Sequence, residues 1–286
     1  MRVSALHIYP LKSARGISLD TMTLDALGVQ FDRRWMLIDE TGRFVSQREE
    51  ARMALLTASL SAGALNVGAP HRESFAVPQA DLRAARIKAS LWDDIIDVIP
   101  ISSEADAWFS DVLETKCRLV YFPDDSVRVI ERSFNPDGRL VGLADGFPLL
   151  VISASSLVDL NDRLVARGRD TLLMDRFRPN LVVDDAPAYA EDAWKAIEIA
   201  GIRLSIVKPC ARCSITTVDQ ATGIRGKEPL ATLATYRRGP DGSVYMAQNA
   251  IHDKPGVIRL GDEVAVIVSE PPVIPSSGLM NSSSSS

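Results

Sequence analysis

The sequence predicts a mainly β protein of the α+β class, with two domains and a few peripheral helices. The chain has 286 residues, close to twice the roughly 150 residues of a typical domain, so we expect two domains. Short apolar runs recur at intervals of about 8–15 residues between Gly and Pro, as strands do in small barrels and sandwiches. Only three segments show helical periodicity, so helices are expected at the periphery.

Composition excludes several classes of protein. With 46% hydrophobic and 24% charged residues, the chain has the balance of a folded globular protein. Its 32 Lys and Arg against 37 Asp and Glu give a net charge of −5, which argues against a nucleic-acid partner. No apolar run approaches the roughly 18 residues that span a bilayer, and no secretory signal opens the chain, so no membrane association is expected. Three cysteines cannot form a disulfide framework, which favours a cytoplasmic location.

The elements of the first domain, predicted to span residues 1–122, follow each other closely. Residues 3–9 form the first strand, which Pro10 closes. Further strands are predicted at 22–24, 35–39, 44–47 and 118–122, and the first helix at 105–113. The polar segment 123–146, rich in Asp, Arg, Pro and Gly, is then an excursion at the domain boundary, and segments of this length are commonly linkers or functional loops.

The second domain is predicted to span residues 123–270. Ser156 and Asp159 have the spacing of a capping box at the start of a helix, and residues 196–207 alternate as a hairpin around Ala200-Gly201. A helix is predicted from Pro229 to about residue 238. The remaining predicted elements are a strand at 147–152, a helix at 155–166, and strands at 181–183, 256–260 and 263–268. Residues 271–286, rich in Pro and then Ser, are expected to form a disordered tail.

Common catalytic motifs are missing from the chain. It contains no Gly-x-Gly-x-x-Gly, no phosphate loop, no His-Glu-x-x-His and no Gly-x-Ser-x-Gly. Its three histidines, His7, His71 and His252, lie far apart, and His7 is expected to be structural. A zinc site or a histidine-based triad is therefore disfavoured.

The segment Cys210-Ala-Arg-Cys213 allows four interpretations. Half of a zinc site lacks partners, and a thioredoxin-type pair should open a helix, whereas the β-branched residues 214–218 favour a strand. The pair could be inert and buried. Alternatively, Arg212 and Lys208 could stabilise a thiolate that serves as a metal ligand or a nucleophile. Spacing alone does not decide between a metal ligand and a sulfur carrier.

Basic side chains stand at predicted strand ends in both halves of this acidic chain. Each alone is typical of a solvated surface. Together they suit an anionic, phosphorylated ligand between two domains, which Arg forks and Ser or Asn donors would bind. The residues that carry this pattern are Lys12, Ser13, Arg33, Arg48, Arg178 and Asn180.

Taken in order, these motifs resemble a known family. They are IYPLKS at 8–13, DRRW at 32–35, FRPN at 177–180, CARCSITTVD at 210–219 and GVIRLGDE at 256–263. The series resembles the MOSC-domain proteins, in particular the branch with an N-terminal MOSC β-barrel domain that includes the mitochondrial amidoxime-reducing components. The resemblance extends from residue 1 to about residue 268, and it implies an N-terminal MOSC-type β-barrel followed by a MOSC β-barrel domain.

The resemblance implies a molybdenum cofactor, in which molybdenum sits on a phosphorylated pterin and takes one protein cysteine. By position Cys213 is that catalytic ligand. The residues implied to hold the pterin and its phosphate are Lys12, Ser13, Arg33, Arg178, Asn180 and Arg212, together with Arg48. Asp145, Gln248 and Asn249 match positions near the metal.

The activity implied is the reduction of N-hydroxylated small molecules to amines. A [2Fe–2S] cluster needs four cysteines, and only two remain beside Cys213. Electrons would then come from a separate ferredoxin, flavodoxin-like protein or reductase. Two alternatives stay open: a sulfur carrier with a Cys213 persulfide, or a protein that binds or stores the cofactor.

Overall fold

Strands dominate the structure, a computed structural model that describes residues 1–135, 137–272 and 274. Strands account for 38% of the residues and helices for 16%, and the sheets curl into half-barrels. The predicted mainly β fold class is confirmed. No helix of the described part is both long and apolar enough to cross a bilayer. Apart from residues 271, 272 and 274, the predicted disordered tail 271–286 lies outside the described residues.

The strands of the described residues are short and distributed along the whole chain. In order they are β1 (Arg2–Ile8), β2 (Ile17–Leu19), β3 (Thr21–Asp25), β4 (Gly28–Val29), β5 (Trp35–Ile38), β6 (Thr57–Ser61), β7 (Ala64–Gly68), β8 (Phe75–Ala76), β9 (Ile87–Leu91), β10 (Asp94–Pro100), β11 (Arg118–Tyr121), β12 (Leu149–Ser153), β13 (Leu181–Asp184), β14 (Trp194–Ile199), β15 (Ile202–Ala211), β16 (Tyr245–His252), β17 (Gly256–Arg259) and β18 (Val264–Ser269).

Helices are fewer. The α-helices are α1 (Ser103–Leu113), α2 (Ala154–Ala166) and α3 (Leu230–Leu233). Short 3-10 helices are formed by Ala51–Leu55, Met174–Arg176, Ala190–Asp192 and Ser214–Thr217.

The largest sheet joins both ends of the chain. Its strand order is β18-β14-β15-β16-β12-β13-β1-β2, so the first strand is hydrogen-bonded to the second half. β12 and β13 are parallel and connected through α2, whereas β1 pairs antiparallel with β13. Val3 and Leu6 of β1 are buried in the same core as Trp194 and Leu204. The segment that follows β1 therefore begins next to the strands of the second half.

The other sheets are smaller, and one of them also joins the two halves. Their orders are β5-β11-β10-β9, β6-β7-β8 and β17-β3-β4. In the last sheet, Ile258 of β17 pairs with Met22 of β3. Because strands from each half complete sheets with the other, loops from both halves meet in one cleft.

The predicted cap of α2 is wrong by one turn. The cap is Ser153, whose Oγ accepts a hydrogen bond from the amide of Ser156 at 3.2 Å. The Ser156 hydroxyl instead donates to the buried carboxylate of Glu191 at 2.7 Å. A buried carboxylate needs a hydrogen-bond donor. The Ser156 hydroxyl, which the sequence pattern assigned to the helix cap, serves as that donor.

Two further elements are shorter than predicted. The expected strand at 44–47 is reduced to a bridge between Phe44 and Ile38, because the chain turns where Glu49 and Glu50 donate their amides to the Ser46 carbonyl. The expected helix from Pro229 to about residue 238 ends at α3, since Arg238 already pairs with Val244 in a β-bridge.

Candidate functional site

One cavity in the cleft brings together residues from both halves of the chain. Its volume is about 140 Å³. Every residue that the sequence singled out for cofactor binding, from the motifs at residues 12–13, 33, 48, 178–180 and 212–213, lines it. They are Lys12, Ser13, Arg33, Arg48, Arg178, Asn180, Arg212 and Cys213.

The first wall of the cavity is the segment that follows β1. The amide of Lys12 donates to the Trp35 carbonyl at 2.8 Å, which turns the lysine side chain into the cleft. Its Nζ donates to the Leu143 carbonyl at 2.8 Å and to Asp145 Oδ1 at 2.6 Å. Burial lowers the pKa of Lys12 to about 8, with the charge of Asp145 opposing the shift. The cavity therefore holds an amine that titrates near physiological pH.

Asp145 connects two basic residues of the first half. Its other oxygen accepts from Arg48 Nη2 at 3.0 Å. Partial loss of water opposes ionisation, but the charges of Lys12 and Arg48 outweigh it and hold the pKa of Asp145 below its usual range. Arg128 fixes the backbone beside it by donating to the carbonyls of Ala144 and Asp145.

Tyr9 contacts two guanidinium groups. The Cζ atoms of Arg33 and Arg178 each lie 4.3 Å from the centre of its ring, and its hydroxyl donates to the Pro179 carbonyl at 3.0 Å. Burial, together with the nearby charge of Arg33, lowers the pKa of Arg178 to about 10. Two cations held this close create a site that an anion would stabilise.

Three of the lining residues have left-handed backbones although none is glycine. The φ angles are +67° at Ser13, +45° at Arg33 and +55° at Arg178. Such conformations are uncommon for residues with a side chain and cluster at functional sites. The Arg178 side chain is fixed where its Nη1 donates to the Ala14 carbonyl at 2.6 Å. The backbone therefore stores strain where the cationic side chains converge.

Asn180 supports this arrangement from beneath. Its Oδ1 accepts from the Leu150 amide at 3.2 Å and from Arg33 Nη1 at 3.3 Å. Its Nδ2 donates to the His7 carbonyl at 3.2 Å. Asn180 thus ties β1 to β12 and orients Arg33 as well as lining the cavity.

The two cysteines of the Cys210-Ala-Arg-Cys213 segment both line the cavity. The expected strand at 214–218 is a 3-10 helix, because the Thr216 hydroxyl donates to the Cys213 carbonyl at 2.9 Å and the Thr217 hydroxyl to the Ser214 carbonyl at 2.7 Å. These local bonds override the strand preference of β-branched residues. The argument from strand propensity against a redox pair is therefore wrong.

The expected partner of Cys213 is also different. Arg212 Nη1 donates to Cys210 Sγ at 2.9 Å. Burial raises the pKa of Cys210, and Arg212 offsets only part of the effect. Lys208 lies over the ring of Phe134, 5.1 Å from its centre, and does not line the cavity.

The cation near Cys213 is Arg48. Burial opposes the charge of Arg48, but Asp145 and, after it, Cys213 raise the pKa of this guanidinium, which lies near both side chains. Sequence analysis placed Arg48 with the pterin phosphate and did not foresee this contact, because no local pattern relates the two positions.

Residues 248 and 249 point to opposite sides of β16. Asn249 lines the cavity and donates from Nδ2 to the Lys208 carbonyl at 3.1 Å. Gln248 instead donates to Asp192 Oδ1 at 2.7 Å on the far face. Side chains alternate along a strand, so both cannot face one site. The expectation that Gln248 lies near the metal is wrong.

The chemistry of the cavity fits an anionic group beside a cysteine. Five cationic side chains line it, with Asp145 as the one lining carboxylate among the described residues. Two donors of these lining residues, Arg48 Nη1 and Arg212 Nε, are buried and have no hydrogen-bond partner among the residues that the structure describes. No three His, Cys, Asp or Glu side chains of residues 1–135, 137–272 and 274 are grouped to hold a metal ion. A metal bound here would need most of its ligands from a cofactor.

Comparison with known proteins identifies matching domains and relatives. Residues 1–116 match the MOSC N-terminal beta barrel domain, and residues 138–265 match the MOSC domain. The chain is 33% identical to mitochondrial amidoxime-reducing component 1 of Mus musculus, over 93% of this chain and 82% of that protein. It is 31% identical to component 1 of Homo sapiens with the same coverage, and 33% identical to human component 2 over 92% of this chain and 82% of the relative.

Proposed function

The chain belongs to the family of proteins that combine a MOSC N-terminal β-barrel domain with a MOSC domain, and on this basis we propose that it is a molybdenum-cofactor-dependent oxidoreductase reducing N-hydroxylated compounds. The observation that carries the proposal is the convergence of Cys213 with five cationic side chains in one cavity. The names of the relatives, which are amidoxime-reducing components, support the substrate class.

The residues divide into two groups around the cofactor. When bound, the molybdenum cofactor supplies a metal that takes the oxygen of the N–OH group and delivers two electrons. Cys213 would be the protein ligand of this metal, and Arg48 would lie beside it in the cavity. The group that would hold the pterin and its phosphate, by Arg forks and hydrogen-bond donors, comprises Lys12, Ser13, Arg33, Arg178, Asn180 and Arg212.

The reaction consumes two electrons and two protons for each N–OH converted to N–H and water. Cys117 is buried in the core of the first half, and Cys210 lies in the cavity. These two cysteines cannot supply the four ligands of a [2Fe–2S] cluster. We therefore propose a separate electron-transfer protein, of the ferredoxin, flavodoxin-like or reductase class, as donor.

Metal analysis tests this proposal. Protein made in a host that synthesises the cofactor, with molybdate supplied, should hold molybdenum near one atom per chain. It should convert an amidoxime to the amidine with an artificial one-electron donor. Cys213→Ser should lose both properties, whereas Cys117→Ser, with its substitution in a core away from the cavity, should keep both.

The same measurements separate the alternatives. A sulfur carrier would be free of molybdenum and would lose a cyanolysable sulfur on Cys213→Ser. A storage protein would hold molybdenum without reducing the amidoxime. Either result would overturn the oxidoreductase.

A further inference from the structure

The turn between β9 and β10 carries an unusual residue. Trp92 has a φ of +57°, and its side chain is exposed although Leu91 and Ile96 beside the turn are buried. Two-residue hairpin turns with positive φ normally use Gly, Asn or Asp, and a bulky aromatic is an outlier there. The backbone thus gains nothing from tryptophan at this position.

The indole ring of Trp92 packs against Arg48, which lines the cavity. It packs edge-on against Phe44 with ring centres 4.7 Å apart, and the Cζ atom of Arg48 lies 4.5 Å from its centre. Trp92 does not line the cavity, whereas Arg48 does. The ring therefore acts on the site directly through Arg48, and at one remove through Phe44, whose ring centre lies 5.4 Å from Lys12 Nζ.

Arg48 is the residue whose direction matters most for the site. Nη2 is occupied by Asp145 at 3.0 Å, Nη1 is buried without a partner among the described residues, and both Arg48 and Cys213 line the cavity. A long arginine side chain has many rotamers, and holding one of them is costly unless contacts fix it. The face of Trp92 supplies such a contact, because a guanidinium over an indole is attracted by the ring.

The same hairpin also reaches the opposite side of the site. Asp94 Oδ2 accepts from Arg128 Nε at 2.7 Å, and Arg128 donates to the carbonyls that set the position of Asp145. The turn thus contacts Arg48 through its aromatic residue and the Asp145 loop through its acid.

We propose that Trp92 is a positioning residue, which fixes the Arg48 guanidinium so that its free Nη1 meets the anionic group bound beside Cys213. This role rests on the proposed function and deepens it by adding a residue that the family motifs quoted above do not include.

The test uses two substitutions at Trp92 that separate the effect of the aromatic ring from the effect of the strained backbone. Trp92→Gly suits a positive φ and removes the ring, whereas Trp92→Phe keeps a ring and the strain. The readout is the rate at which molybdenum leaves the loaded protein in cofactor-free buffer. We expect release from Trp92→Gly to be roughly 2- to 30-fold faster than wild type, the range of a cation–π contact, and Trp92→Phe to restore most of the retention.

A matched control is available in the turn between β6 and β7. Ala62 has a φ of +48° and does not line the cavity, so Ala62→Gly relaxes a turn without touching the site. It should retain molybdenum like wild type. If Trp92→Gly retains molybdenum as well as Trp92→Phe does, the positioning role is overturned.

A second measurement stays decisive even if the proposed function is wrong. In the cofactor-free protein, urea unfolding of wild type, Trp92→Gly, Arg48→Met and the double variant forms a double-mutant cycle. We expect the two residues to be coupled by about 2- to 30-fold in the unfolding equilibrium constant. A coupling factor of one, meaning that the two substitutions act independently on unfolding, would overturn the proposal. Wild-type protein that holds no molybdenum would overturn only the proposed function.

Discussion

Lys12 Nζ and Asp145 Oδ1 lie 2.6 Å apart and form an ion pair across the cleft. Lys12 follows the first strand of the chain and is 4% exposed, whereas Asp145 precedes β12 in the second half. The pair therefore joins the two halves at the floor of the candidate site, and its lysine has a pKa of about 8 because it is buried.

This pKa predicts how anion binding depends on pH. The free site loses the Lys12 proton above about pH 8, whereas a bound phosphate would favour the protonated form. The affinity of the cofactor-free protein for a phosphate monoester should therefore be steady from pH 7 to 8 and then fall, by at most about tenfold per pH unit. The monoester itself stays a dianion over this range, because its second pKa is about 6.

Binding of glycerol 2-phosphate, followed by calorimetry between pH 7 and 9.5, checks this expectation. Lys12→Arg keeps its charge in this range and should remove the fall. Matching curves for the two proteins would show that Lys12 does not contribute.

Gly16 is predicted to be required for the position of Tyr9. A Cβ added at Gly16 would lie 2.5 Å from Tyr9 Cε1, and Tyr9 is 2% exposed and packs against the guanidinium groups of Arg33 and Arg178. The ring cannot move aside, so Gly16→Ala should destabilise the protein by about 1–3 kcal/mol in urea unfolding. Gly146→Ala is the control, since an added Cβ there meets no atom within 4 Å; equal stabilities would contradict the clash.

Arg237 is predicted to be essential for stability although it lies outside the cavity. It is fully buried and pairs with the buried Asp192. Removing one partner leaves an uncompensated buried charge, so Arg237→Met should cost about 3–5 kcal/mol of unfolding free energy.

The contrast is the exposed pair of Lys116 and Glu40. Lys116→Met should change the unfolding free energy by less than about 1 kcal/mol. Similar losses in Lys116→Met and Arg237→Met would show that burial of the pair does not determine its contribution.

Glu191 is predicted to make the protein less stable as pH rises. Burial raises its pKa to about 7, against 4.5 in the unfolded chain. Between these values the folded state binds more protons than the unfolded state, so this residue's contribution to stability falls as pH increases from about 4.5 to above 7. Glu191→Gln should remove that fall and be the more stable protein at pH 8, by up to about 3 kcal/mol.

Urea unfolding at pH 4.5 and pH 8 measures the effect. The two proteins should differ less at the lower pH, where Glu191 is protonated in the folded state and half protonated in the unfolded chain. A constant difference between them at both pH values would contradict the raised pKa.

Local sequence patterns predicted most of the regular structure, but they assigned some side chains to the wrong hydrogen-bond partners. The predicted strand at 3–9 and helix at 105–113 are present as β1 and α1. Ser156 fits a capping box by spacing, yet the buried Glu191 takes its hydroxyl. Competition of this kind depends on which distant residue is buried beside the side chain.

The site was predictable to the level of its residues but not of their pairings. Every residue assigned to the cofactor lines one cavity, whereas their roles in binding, the domain boundaries and the cytoplasmic location stay predictions. Arg212 was expected to act on Cys213 because it is adjacent in sequence. In the fold its Nη1 donates to Cys210, and the cation whose pKa Cys213 raises is Arg48.

What the sequence alone determined is the set of chemical groups: the paired cysteines, the basic residues at strand ends and the β-rich pattern that brings such ends together. What only tertiary structure decided is which cation faces which sulfur, which of two neighbouring amides enters the cavity, and that Trp92 backs Arg48. The reason is physical: hydrophobic periodicity and turn chemistry act over a few residues, whereas electrostatic partners are selected by distances that exist only once the strands of both halves are packed.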